Sequence, residues 1–334
     1  MPFFYYYIYG FYLIFIQNLY RKYRIFIQPY AYRLPLTFIN KNCYLCGGFF
    51  IIHKTMSYKR ILTIQDISCV GQCSLTVALP VLSASGNEAC ILPSAVLSTH
   101  TGGFKGYTFH DLTDDFPAVV KHWISEKIDF DAFYTGYLGS LMQIDLVEQI
   151  VNSPLSKEDS LFVVDPVLGD NGVLYKGFNA EIVAAMRRLI KRAHIIIPNI
   201  TEACQLTDTE YRTDFDKEYI RTLVAKLKAI MGPGKTIVMT GVGFSNDETG
   251  VGVFGDDEEF YYPHIKLNKN VSGTGDIFAS ALVGAIMNGH STRKSAQIAA
   301  DFTLSAIKET VRNPAHWYGV KFETVLGEYI RMVR

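Results

Sequence analysis

Ser272-Gly273-Thr274-Gly275-Asp276, running straight into Ile277-Phe278-Ala279-Ser280-Ala281-Leu282-Val283-Gly284-Ala285-Ile286-Met287, decides how the rest of this chain is read. Small residues let a backbone close around a phosphate, and the helix predicted after them points its unpaired N–H groups at that phosphate. Asp276 adds a carboxylate in the same place, where a turn that merely held phosphate would gain nothing from a negative charge. An aspartate there suits a proton acceptor for a hydroxyl attacking the terminal phosphate of a nucleotide, with metal ions screening the repulsion. Its ordinary pKa of about 4 is no obstacle, because in a loose transition state the proton leaves late. The five residues alone fit a second reading equally well, a glycine-rich helix start with Asp as a cap.

Outward from this stretch, short β-branched runs alternate with longer amphipathic ones from Lys59 onward. Strands are predicted at Arg60–Gln65, Glu88–Leu92, Phe130–Thr135, Leu161–Asp165, His194–Pro198 and Thr236–Thr240, and helices at Ser74–Ser85, Phe116–Glu126, Ile144–Val151, Glu181–Lys191 and Lys217–Ile230. That alternation implies an α/β fold of three layers, a central and mostly parallel sheet with helices on both faces. Thr249–Phe254 and Glu259–Pro263 read as a hairpin with a solvated acidic tip, and helices over Ser291–Val311 and Phe322–Met332 close the chain. No repeat or long linker divides residues 56–334, so they are expected to form one domain.

Ligands of parallel sheets sit at the carboxyl ends of the strands. Polar residues collect there: Gln65-Asp66, Thr135-Gly136-Tyr137, Asp165 to Asp170, Asn199 to Glu202, and Thr240-Gly241. Asn199 and Glu202, three apart at a strand-to-helix junction, present hard oxygen donors suited to Mg²⁺ carrying nucleotide phosphates. The same spacing is that of a capping box, and the residues leave both readings open. Asp165 and Asp170 bracket a Pro and a Gly and are expected near the same cation, with a turn-forming role for Asp170 as the alternative.

Formal net charge is zero, which argues against a nucleic-acid surface. The balance is uneven, however. Residues 1–55 hold six Lys or Arg and no acid, leaving 26 basic and 32 acidic residues, or −6, on the remainder. The aromatic run Phe3 to Ile16, followed by Arg21-Lys22-Tyr23-Arg24, is short for a membrane span and has the wrong flanks for a secretory signal. It is read as an extension, disordered or translated from upstream of a start at Met56, with a membrane anchor as the lesser alternative. Six cysteines do not form a disulfide framework in a chain of this length, and Cys43-x-x-Cys46 lacks a second metal-binding pair, so reduced thiols in a cytoplasmic protein are expected. Gly232-Pro233-Gly234-Lys235-Thr236 invites a P-loop reading but precedes a strand instead of following one.

Several motifs together resemble the ribokinase superfamily, and within it the pyridoxal kinase branch: Ile64-Gln65, Thr99-His100-Thr101-Gly102, Thr135-Gly136-Tyr137, Asp165-Pro166-Val167-Leu168-Gly169-Asp170, Asn199-x-x-Glu202 and Gly273-Thr274-Gly275-Asp276. The resemblance spans about Lys59 to the C-terminus. It implies ATP-dependent phosphorylation of the 5′-hydroxymethyl of pyridoxal, pyridoxine or pyridoxamine by a homodimer. It also implies Mg²⁺ and admits a monovalent cation such as K⁺. By the same resemblance Asp276 is the base, Gly273, Thr274 and Gly275 form the anion hole, and Thr101, Tyr137 and His100 meet the pyridine ring. Thr240 and Asn199, with Thr274 and Gly275, would contact ATP; Asp165, Asp170 and Glu202 would arrange the metal; and Asn171 to Lys176, with Gly172 and Tyr175, would form a lid.

One residue departs from the branch, which commonly has Ser after Ile-Gln where this chain has Asp66. A carboxylate there would favour a protonated ring nitrogen or an aminomethyl group, shifting selectivity toward pyridoxamine or pyridoxine. The nearest rival is a hydroxymethylpyrimidine kinase of thiamine biosynthesis; a rival of another class is a catalytically silent pyridoxal-binding protein.

Overall fold

The computed structural model describes residues 58–267 and 271–334, together with the backbone of two strands, β1 (Cys43–Cys46) and β2 (Phe49–Ile52), which pair as an antiparallel hairpin. Contacts divide the chain into Met1–Thr55 and Met56–Arg334, and each unit stands by itself here. The side chains of Cys43 and Cys46 and the expectations placed on residues 1–42 lie outside the described residues.

In the second unit β3 (Arg60–Ser68) is buried along almost its whole length, because it runs through the middle of a sheet covered on both faces. Nine strands follow the order β13-β12-β11-β10-β7-β6-β3-β4-β5. These are β4 (Glu88–Leu97), β5 (Phe109–Asp111), β6 (Phe130–Thr135), β7 (Ser156–Val164), β10 (Ile195–Ile196), β11 (Thr236–Thr240), β12 (Glu248–Phe254) and β13 (Glu259–Ile265). The six central strands, β4 through β11 in that order, are parallel, while β5, β12 and β13 are antiparallel at the two margins.

Alternation along each strand sends neighbours into different cores. Leu62, Ile64 and Phe133 pack with α3 (Leu141–Val151), α4 (Ala180–Ile190), α5 (Ile200–Thr207) and α6 (Lys217–Met231); α2 (Phe116–Ser125) adds Phe116 to that side. Ile61, Ala132 and Tyr134 pack with α1 (Leu75–Ala84), α7 (Thr274–Met287), α8 (Thr292–Val311) and α9 (Leu326–Val333). The architecture is the three-layer arrangement expected. Helix α7 is buried without a break from Ile277 to Ala285, and its small residues permit close approach: a Cβ on Gly284 would press on the Tyr329 hydroxyl and on Ser85.

Element bounds differ where polar or breaking residues obscure the pattern. β4 continues five residues past Leu92, through Pro93, because β5 pairs with its end. β7 starts at Ser156 with exposed Lys157, Glu158 and Asp159 before its buried Phe162–Val164. Gly232 and Gly234, both with positive φ, form the turn leading into β11, so that segment cradles no phosphate. Cys69, Cys73, Cys90 and Cys204 are free thiols.

Candidate active site

The start of α7 lies at the carboxyl edge of the parallel strands. Its N-cap, Gly273, has φ +87°, and a Cβ there would overlap the Gln72 carbonyl oxygen, so glycine is demanded both by conformation and by contact. No side chain caps this helix, whereas Ser140, Asn179, Asn199, Asp216 and Ser291 cap theirs. The first intrahelical bond runs from Ile277 N–H to Gly273 C=O, which leaves the N–H groups of Thr274, Gly275 and Asp276 to an external acceptor. Gly275 faces open space. These amides, with the helix dipole behind them, form a cradle for an anion.

Asp276 sits in the first turn of that helix, partly open to water. Burial pushes its pKa up to about 7, the backbone N–H of Ser74 opposes this, and the charge of Asp66 adds to it. Asp165, at the end of β7 and only 8% exposed, is held well above the usual carboxylate range by burial and by the charges of Glu202 and Asp276. Tyr175 faces the same group: its phenol is raised by burial and then by Glu202, Asp170, Asp165 and Asp276. Three carboxylates, Asp165, Asp170 and Glu202, thus lie within electrostatic reach of one phenol together with Asp276.

Asn199 and Glu202 form a complete capping box. The Asn199 Oδ1 accepts from Glu202 N–H (2.9 Å), and Glu202 Oε2 accepts from Asn199 N–H (2.9 Å) while Oε1 accepts from Leu168 N–H (3.0 Å). Asn199 Nδ2 also donates to the Gly169 carbonyl, and a bridge joins Asn199 to Thr240, which brings those two expected nucleotide contacts side by side. Asp170 is exposed, and its carboxylate accepts from the amide and side chain of Asn171. It opens a hairpin, β8 (Gly169–Asp170) and β9 (Val173–Leu174), whose central Asn171-Gly172 both have positive φ. Among the described residues no three metal-ligating side chains gather closely enough to hold an ion. Asp165 is a buried oxygen donor that a magnesium ion carried on nucleotide phosphates could meet, directly or through water, while Glu202 also serves a cap and Asp170 a turn.

The expected lid, residues 171–176, is docked in place. Gly172 N–H donates to Thr201 Oγ1 (2.9 Å), and a Cβ on Gly172 would press on the Tyr211 ring. Tyr137 stacks on Phe178 with ring centroids 5.6 Å apart. Thr101 is exposed in the loop after β4. His100 is 5% exposed; its Nδ1 accepts from Gly102 N–H, so the proton resides on a buried Nε2 that has no partner among the described residues. Burial lowers its pKa. Position 102 faces both the His100 ring and Ser272 Oγ, so this loop borders the α7 cradle.

Sequence reasoning missed the loop 69–74. Ser74 entered it only as a helix boundary, yet its amide faces the Asp276 carboxyl, and Gln72 backs Gly273. The available signal was Gly71, three residues ahead of Ser74 and just past a β-strand with a polar end.

A sequence profile described as phosphomethylpyrimidine kinase matches residues 79–320. The chain is 33% identical to the crystal structure of pyridoxal kinase from Lactobacillus plantarum, covering 83% of this chain and 98% of that one with a TM-score of 0.76. It is 37% identical to a putative phosphomethylpyrimidine kinase from Bacteroides thetaiotaomicron crystallised with pyridoxal, covering 81% and 96% with a TM-score of 0.76. Over 247 residues it is 30% identical to the pyridoxal kinase of Dictyostelium discoideum, covering 67% of this chain and 77% of that protein.

Proposed function

The chain belongs to the phosphomethylpyrimidine kinase family, in the pyridoxal kinase branch of the ribokinase superfamily, and we propose on that footing that it transfers the γ-phosphoryl group of ATP to the 5′-hydroxymethyl of pyridoxal, pyridoxine or pyridoxamine. The observation that carries this reading is the Asp276 carboxyl, raised to about 7, beside three helix N–H groups that no side chain caps.

A carboxyl poised near neutrality accepts a proton from an alcohol more readily than an ordinary aspartate. Asp276 would take the hydroxyl proton as the oxygen meets the phosphorus, and the Thr274, Gly275 and Asp276 amides would hold the oxygens of the moving group. Tyr137, already stacked on Phe178, offers an aromatic face to a pyridine ring, and the exposed Thr101 and the unpartnered His100 N–H offer polar contacts near it. Asn199 and Thr240 line the nucleotide side, and the Asp170–Tyr175 hairpin covers the reactants and excludes water. Magnesium bound with the nucleotide supplies positive charge against the phosphates and the crowded carboxylates. A monovalent cation such as K⁺, a homodimer and a cytoplasmic setting belong to the same proposal. No helix among the described residues is long and apolar enough to cross a membrane.

The test is to mix purified protein with Mg-ATP and, separately, pyridoxal, pyridoxine, pyridoxamine and hydroxymethylpyrimidine, and to identify the phosphomonoester by mass. The 5′-phosphates of the three pyridines are expected. Membership of the phosphomethylpyrimidine kinase family makes the related alcohol, hydroxymethylpyrimidine, the competing substrate, and product from it alone would replace the pyridine reading.

A further inference from the structure

Ser74 occupies the N-cap of α1, a place where a serine hydroxyl ordinarily accepts from a helix N–H, yet it makes no such bond. Its Oγ instead donates to Asp66 Oδ1 at 2.6 Å, and Ser68 Oγ donates to Asp66 Oδ2 at 3.0 Å. Asp66 is 5% exposed, so the carboxylate is sealed beneath the loop that the two serines flank. That loop is costly to maintain. Gly71, Gln72 and Ser74 all have positive φ (130°, 54° and 54°), a region that strains the two that carry side chains. Such a backbone persists only where its surroundings over-determine it: the Ser74 and Ser68 hydroxyls tie it to Asp66, an Ile67–Ser74 bridge closes its base, His100 N–H donates to the Val70 carbonyl (3.0 Å) and Gln72 Nε2 to Glu323 (2.8 Å).

The loop's position matters because its backbone meets the reaction centre twice. The Ser74 N–H faces the Asp276 carboxyl, and the Gln72 carbonyl lies against Gly273 where no side chain intervenes. We propose that Asp66 is a positioning residue: by gripping Ser74 and Ser68 it fixes the 69–74 loop so that the Ser74 amide aims Asp276 and Gln72 braces the α7 cradle. This assignment rests on Asp276 being the base. It also gives the departure from the branch's usual serine a role in holding the reaction centre instead of in choosing the pyridine.

Asp66→Ala should lower kcat about 10- to 100-fold, the value of a charged hydrogen bond, while KM for ATP and the melting temperature change little. Asp66→Asn, which keeps one acceptor, should recover part of the loss. Ser74→Ala, which keeps the amide but loses the tether, should resemble Asp66→Ala. Hydrogen exchange in peptides spanning residues 69–74 should quicken in both alanine variants, with the rest of the chain unchanged. The proposal is overturned if exchange in that loop is unaltered, or if kcat is retained while only the ratio of pyridoxal to pyridoxamine turnover moves. Should Asp66→Ala not fold, Ser74→Ala and Asp66→Asn decide the matter by the same two readouts. If the wild type phosphorylates no pyridine alcohol, the proposed function fails, whereas the exchange comparison still judges the tether.

Discussion

Asp276→Asn separates what the reactive carboxyl does from what it costs. Its pKa lies at about 7 in the folded protein against 3.8 for the free side chain, a rise of about three units at 1.36 kcal/mol each, or about 4 kcal/mol. The side chain keeps some contact with water, which discounts this to about 2–4 kcal/mol of native-state destabilisation at pH 8. The sign follows from the raised pKa: the folded state binds the proton more tightly than the unfolded chain. The contribution of Asp276 to stability is therefore fully present below about pH 4, is lost as pH climbs through about 7, and levels off above it. Asparagine has the same shape and no charge to desolvate. The variant should melt several degrees above wild type at pH 8, with the gap closing on acidification and vanishing near pH 4. Turnover should fall by about 10²–10⁴-fold, the usual contribution of a general base. Wild-type kcat/KM should itself drop about tenfold between pH 8 and pH 6 as the ionised fraction of the free enzyme shrinks from about nine-tenths to one-tenth. Calorimetry at three pH values, paired with phosphomonoester assays, measures both sides. A melting gap that ignores pH, or a variant that keeps its turnover, would refute the assignment of Asp276 and the burial argument behind it.

Two further substitutions probe the scaffold around it. Gly273→Ala places a Cβ against the Gln72 carbonyl at φ +87°, so it should cost about 1–3 kcal/mol in thermal unfolding and depress kcat far more than KM for ATP. Glu202→Gln turns one end of a doubly accepting carboxylate into a donor facing backbone N–H groups but also removes a charge that burial disfavours, its pKa being pushed up to about 7, so the stability lost should be larger at pH 5 than at pH 8. Because Glu202 acts there as a cap, the half-saturating magnesium concentration should stay as in wild type, which a titration of activity against the metal checks.

The parts legible in the sequence are those in which side-chain pattern and backbone agree. Phe130–Thr135 and Thr236–Thr240 are strands at their expected bounds, because buried β-branched and aromatic runs flanked by turns have few other uses. The edge strand Phe109–Asp111 escaped, since all three residues are exposed and only pairing with β4 makes them a strand. Likewise the Gly169–Leu174 hairpin is two residues on each side, too short for periodicity, although Asn171-Gly172 announced its turn.

The site divides along a related line. Asp276, Asp165, Asn199, Glu202 and Thr240 were readable because each ends a strand or starts a helix, and in a parallel sheet those ends share one edge. Which oxygen serves a helix was not readable, since Asn-x-x-Glu suits a metal as well as a cap and only the N–H groups of Leu168 and Asn199 show that Glu202 makes the cap. Loop 69–74 is hidden for a deeper reason: it acts through an amide and a carbonyl, groups that every residue possesses. Nothing in the letters Gln72 and Ser74 marks them. What marks them is the geometry that Gly273 tolerates and Asp66 enforces, and these two residues, one without a side chain and one with a buried charge, are where a backbone contact leaves its trace in a sequence.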